Sequence, residues 1–136
     1  MSRDRHFPTW FLVVLWGVWI VDLILIIIGS VMMPLQQHAP WDSSGMSHFI
    51  AYMGLGLLPM LLRPGWCSTL ALFVAASLFG GLMEWIQTFV PGRYGTVSDA
   101  VINMAGLASG IVAGYLLDKV VRPLLPRRGG QGRKVP

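Results

Sequence analysis

Four long apolar runs carrying very little charge constrain this chain more than any motif does. They cover roughly residues 10–30, 47–62, 67–90 and 97–120, and the second, the shortest, ends at the breaker Arg63-Pro64-Gly65-Trp66. A hydrocarbon core about 30 Å thick needs roughly 20 apolar residues per helix. Only 12% of the 136 residues are charged and 54% are hydrophobic, with a mean hydropathy of +0.63. Soluble domains usually carry about a quarter of their residues as charge, so this inventory does not build a water-facing shell. A single cysteine, Cys67, rules out a disulfide scaffold and a cysteine-rich zinc module. The expected class is an all-α membrane protein built as a four-transmembrane-helix bundle.

The first run follows Arg3 and Arg5, as a signal peptide would. Its apolar stretch exceeds the usual h-region of about 7–15 residues and no A-x-A site follows, so it reads as a retained span. Trp10, Trp41, Trp66 and Tyr94 sit near the span edges, where interfacial aromatic belts form. Positive charge is concentrated before the first run, at Arg63, and from Asp118 onward, where six basic residues stand against one acid. With four spans these regions share one side, which the positive-inside rule makes cytoplasmic. Both termini are therefore expected in the cytoplasm of a bacterial cell, with loops 31–46 and 91–96 outside and the protein in the cytoplasmic (inner) membrane. The expected organisation is an N-terminal segment 1–9, a membrane domain 10–120, and a basic, flexible tail 121–136 near anionic lipid. No aromatic residues interleave the tail charges, which argues against nucleic-acid binding.

The polar residues inside the runs are not scattered. His48, Glu84, Gln87, Asp99 and Asn103, with Arg93 in a short loop, all fall toward the outer side. An ionised carboxylate within a span costs about 2.5–3.5 kcal/mol on insertion scales, so it usually faces a partner or a wet cavity. At about 100° per residue, His48 and Tyr52 share one helix face, and Glu84 and Gln87 another. On the fourth run Asp99, Asn103, Gly106, Gly110 and Gly114 lie within a stripe roughly 80° wide. Its glycines form a ladder that lets another helix approach closely. The expectation is a tight bundle opening into an outward polar cup.

The run from Glu84-Trp-Ile-Gln87 through Pro91-Gly-Arg93 to Ser98-Asp99 and Asn103-Met-Ala-Gly106 resembles the signature of the VanZ-like family. Ser47-His48-Phe49-Ile-Ala-Tyr52 is similar to the His-Phe-x-x-Tyr element of its smaller members. The resemblance covers about residues 44 to 117. It implies a small, multi-pass bacterial membrane protein, with Glu84, Gln87, Arg93, Asp99, Asn103, His48 and Tyr52 in the family's polar positions. The namesake is associated with low-level resistance to teicoplanin. Two departures stand out. Ser44-Gly45 occupies the place where smaller members often carry Asp-Lys, and the glycopeptide-resistance branch carries a different second-span element.

The chemistry to be expected follows from these residues. Glu84, His48 and Asp99 offer general acid and base groups if the protein is an enzyme acting on a lipid head group. Arg93, Gln87, Asn103 and Tyr52 would bind a ligand, with Arg93 beside helix N-termini suited to an anion. The leading expectation is recognition of a lipid-linked or anionic envelope molecule, such as a cell-wall precursor or lipoglycopeptide, affecting glycopeptide susceptibility. An alternative is a structural subunit that docks a partner, or a second copy, through Gly106, Gly110 and Gly114. Asp99, three residues after Thr96, also fits a capping box. His48, Glu84 and Asp99 as metal ligands, or a cofactor, are not expected, because no metal-binding spacing is present. Asp22, inside the first run, leans toward lipid, a partner helix or the cup.

Overall fold

A computed structural model describes residues 7–32, 43–62, 65–91 and 95–124, and its regular structure is helical. The elements are α1 (Thr9–Met32), α2 (Ser43–Met60), α3 (Trp66–Gln87) and α4 (Val97–Val121), closed by a 3-10 turn, Arg122–Leu124. Three helices, α1, α3 and α4, are long and apolar enough to cross a membrane. The expected fourth, α2, is not among them. The reason lies in its composition and position. Ser43, Ser44, Ser47, His48 and three glycines dilute its apolar content, and it packs chiefly against α4, with α1 on another side. A helix enclosed by protein does not need an apolar side chain at every position.

Helix ends follow local chemistry. Pro59 removes a backbone donor near the end of α2, and the chain leaves through tight turns from Leu61 N–H to Leu58 O (3.3 Å) and Leu62 N–H to Pro59 O (3.0 Å). The expected span reached Leu62; the helix stops at Met60 and begins earlier, at Ser43. α3 ends at Gln87 rather than Val90. There the Thr88 hydroxyl donates to Trp85 O at 2.6 Å, and i→i+3 bonds carry the chain to Pro91. α1 presents apolar side chains all round, with Trp10, Val13 and Leu25 more than half exposed, as a lipid-facing helix does. Trp10 and Trp66, 68% and 82% exposed, sit at helix starts where an interfacial belt would lie. Trp41 and Tyr94 lie outside the described residues.

The α2–α4 seam holds the fold together. A methyl group built on Gly106, Gly110 or Gly114 would overlap the carbonyl oxygens of Phe49, Met53 and Leu57 respectively, and one on Gly56 would overlap that of Leu107. Both series advance four residues at a time in the same direction, so α2 and α4 run parallel with backbones in contact. The glycine ladder is therefore filled by α2 of the same chain. Beside the seam, Ile26, Tyr52, Leu55, Ala76 and Leu107 form the buried core. On the α1 side, Trp19 Nε1 donates to Leu55 O at 3.1 Å. Asp22 leans on α2 from the same α1 side, its Oδ2 3.1 Å from where a Gly54 Cβ would stand. Of the three orientations open to it, Asp22 takes the one toward a partner helix, α2.

Candidate functional site

Parallel packing of α2 with α4 brings His48, next to Phe49, within reach of Asn103, about one helical turn before Gly106. Their side chains meet, with His48 Nδ1 3.1 Å from Asn103 Oδ1. An amide oxygen only accepts, so His48 carries its proton on Nδ1 and donates it to Asn103. Asn103 Nδ2 in turn donates to Glu84 Oε1 at 3.2 Å, and His48 Nδ1 lies 3.7 Å from the same oxygen. Three helices thus contribute one directed chain, His48 to Asn103 to Glu84. Asn103 is 2% exposed and Glu84 6%. His48 is the most accessible of the three side chains, at 14%.

The second oxygen of Glu84 has a separate partner. Thr96 begins α4 as its N-cap, and its backbone N–H donates to Glu84 Oε2 at 3.3 Å. Gly95 permits this approach, because a side chain there would overlap the Glu84 carbonyl. Asp99 completes the cap. Its N–H donates to the Thr96 hydroxyl at 3.0 Å, and the hydroxyl donates to Asp99 Oδ2 at 2.8 Å. In an ordinary capping box the third-position carboxylate would take the N-cap amide; here Glu84 takes it. A carboxylate at the positive end of α4 is also favoured by the helix dipole. Asp99 therefore serves the helix start, and it is not part of the chain that joins His48 to Glu84.

Tyr52 and Gln87 lie near this chain but bond to none of it. Both are 2% exposed, and Tyr52 Oη and Gln87 Nε2 have no hydrogen-bond partner. The Tyr52 ring lies against Gly80, with Cε1 and Oη 3.1 and 3.2 Å from where a Cβ would be. Among the described residues no three His, Cys, Asp or Glu side chains group closely enough to hold a metal ion. Arg93, the expected anion contact, lies outside the described residues, as do Arg63 and the chain beyond Leu124.

A second buried polar cluster sits at the other end of α4. Asp118 and Arg122 are 3% and 9% exposed. Arg122 Nε donates to Asp118 Oδ1 at 2.8 Å, and Nη2 donates to Leu61 O at 3.0 Å, just past the end of α2. The guanidinium also stacks over the Phe7 ring, 5.4 Å from its centroid. Sequence reasoning counted these two charges only toward topology. A signal was present, since Asp118 and Arg122 continue the four-residue register of Gly106, Gly110 and Gly114. Gly95 and the Thr96 amide had no such signal, because main-chain contacts leave no trace in residue type.

A helical bundle with membrane-length apolar helices and a buried polar chain defines an integral membrane protein. A family model described as VanZ/LLP1 matches residues 16–118, and the chain belongs to that family. No curated protein and no solved structure matches it.

Proposed function

We propose that this VanZ-family protein spans the bacterial cytoplasmic membrane four times, with both termini cytoplasmic, and uses an outward polar cup to bind the polar head of a lipid-linked or anionic envelope molecule. The parallel course of α2 and α4 supports the topology, because helices of one direction alternate with α1 and α3 in such a bundle. Lys119 and Arg122 at the far end of α4 carry the sign expected of the cytoplasmic side. The observation that carries the binding reading is the buried His48–Asn103–Glu84 chain. Three helices converge to hold one carboxylate at the end opposite those basic residues. Polar groups at membrane depth are expensive and usually mark a functional site.

In this reading Gln87 and Tyr52 supply hydrogen bonds to the head group, and Arg93 in the loop above supplies charge. Binding of a cell-wall precursor would affect glycopeptide susceptibility. Glu84→Gln keeps nearly the same shape, so the protein should remain folded in detergent while any envelope phenotype disappears. Mass spectrometry of lipids that copurify with wild type tests the binding step. Loss of one species from both Glu84→Gln and Arg93→Ala supports it, and an unchanged lipid profile in both contradicts it.

A second reading is favoured by the His48 tautomer. With its proton on Nδ1, the Nε2 lone pair is the basic one. That suits acid/base chemistry on a head group, with His48 as base and Glu84 orienting it through Asn103. Turnover of the copurified lipid, lost in His48→Ala, would establish it. The structural-subunit reading loses its main support, since α2 already covers the glycine face.

A further inference from the structure

Three buried polar atoms stand without partners along one face of α3, Gln87 Nε2 one turn outward of Glu84 and Tyr52 Oη and Ser77 Oγ inward of it. On α3, Ser77, Gly80, Glu84 and Gln87 fall within about 80° of arc, and Ser77 to Gln87 spans about 15 Å of helix. Ser77 Oγ and Gln87 Nε2 are both shielded from the surroundings and unpartnered. Between them, Tyr52 reaches over from α2 and places its equally unpartnered Oη beside Gly80, one turn from Ser77 and one turn from Glu84. Direct packing between α2 and α3 is sparse, in contrast to the seam between α2 and α4.

Buried hydroxyl and amide groups without partners are costly, and folded interiors normally satisfy them with ordered water. All three groups here are neutral, and each can donate. They are spaced along a helix face that Gly80 keeps narrow. That combination suits occupants the size of water.

We propose that Ser77, Tyr52 and Gln87 bind water between α2 and α3 on either side of Glu84, with the Tyr52 and Ser77 part extending the His48–Asn103–Glu84 chain toward the middle of the bundle. That inner part gives Glu84 hydrogen-bonded neighbours on its inner side and keeps the carboxylate in contact with water even when the cup is covered. The proposal deepens the head-group reading and rests on it in one respect: water occupies Gln87 and Tyr52 while the cup is empty.

Synchrotron hydroxyl-radical footprinting of the ligand-free protein in detergent tests it, because radicals formed from bound water label the residues beside them. Each rate is normalised to that of the denatured chain. Tyr52, although 2% exposed, should be modified several-fold faster than the equally buried Leu55 and Leu107. Protection of Tyr52 to the level of those leucines would overturn the proposal. Thermal unfolding supplies a second readout that does not need a ligand. If water satisfies these groups, Tyr52→Phe, Ser77→Ala and Gln87→Leu should each leave the melting temperature unchanged or lower it. If the groups are dry, deleting them removes a penalty, so a rise in melting temperature for all three would also overturn it. Neither result bears on lipid copurification, so failure here leaves the head-group reading standing.

Discussion

The two buried polar clusters at the ends of α4 use similar parts for different ends. At the C-terminal end, Asp118 and Arg122 are oppositely charged, four residues apart, and joined to the end of α2 through Leu61 O. Charge is balanced locally and the guanidinium is spread across a carboxylate, a carbonyl and an aromatic ring. At the N-terminal end, Glu84 is held by neutral donors from residues far away in the chain, and Gln87 and Tyr52 beside it are left without partners. The first cluster ties elements together. The second is assembled at the cost of burying a carboxylate and still has hydrogen-bonding capacity to spare. Burial of charge alone does not distinguish a clasp from a site; spare valence does.

Mutations should separate the two clusters. The largest effect is expected at the clasp, where Arg122→Ala removes the guanidinium that Asp118, the Leu61 carbonyl and the Phe7 ring share and should cost about 3–5 kcal/mol in unfolding experiments in detergent. Asp118→Leu combined with Arg122→Met should recover much of that loss, as replacement of a buried pair by packed apolar groups often does. Failure of the double variant to recover would place the clasp among the functional features.

At the seam that links the clusters, Gly110→Ala pushes a methyl into the Met53 carbonyl and should cost about 1–3 kcal/mol as an overpacking change. Gly17→Ala on α1, which meets nothing within 4 Å, should instead stabilise by about 0.5–1 kcal/mol. Equal effects at the two glycines would refute the seam.

At the site, Asn103→Leu removes a donor and an acceptor at once and should cost about 1–3 kcal/mol, together with any envelope phenotype. Thr96→Ala should have the smallest effect of the destabilising set, about 1 kcal/mol from the lost cap, because its backbone N–H to Glu84 remains. A Thr96→Ala protein that loses lipid copurification as completely as Glu84→Gln would show that the cap hydroxyl belongs to the site.

Much of this was legible in the residues. Hydrophobic runs fixed four helices to within a few residues, since apolar length is written directly in composition. Helical periodicity put Asn103 on the glycine-bearing face that packs inward and grouped His48 with Tyr52 and Glu84 with Gln87, and the Thr96-x-x-Asp99 spacing allowed the cap that is observed. The glycine stripe announced close approach but carried no information on the partner, because a bare backbone accepts any helix. Only the register of Phe49, Met53 and Leu57 carbonyls identifies it as α2. Asp118 and Arg122 were hidden for a different reason. Near a membrane edge a basic residue is equally consistent with a topology signal and with a buried clasp, and only packing distinguishes them.

The central claim is that groups from α2, α3 and α4 form one energetically coupled unit around Glu84. A double-mutant cycle on His48 and Glu84, using His48→Ala and Glu84→Gln in detergent unfolding, measures that coupling directly. The geometry predicts non-additivity of about 1 kcal/mol or more, as for residues sharing a hydrogen-bond network. Additivity within about 0.3–0.5 kcal/mol, the behaviour of independent sites, would contradict it.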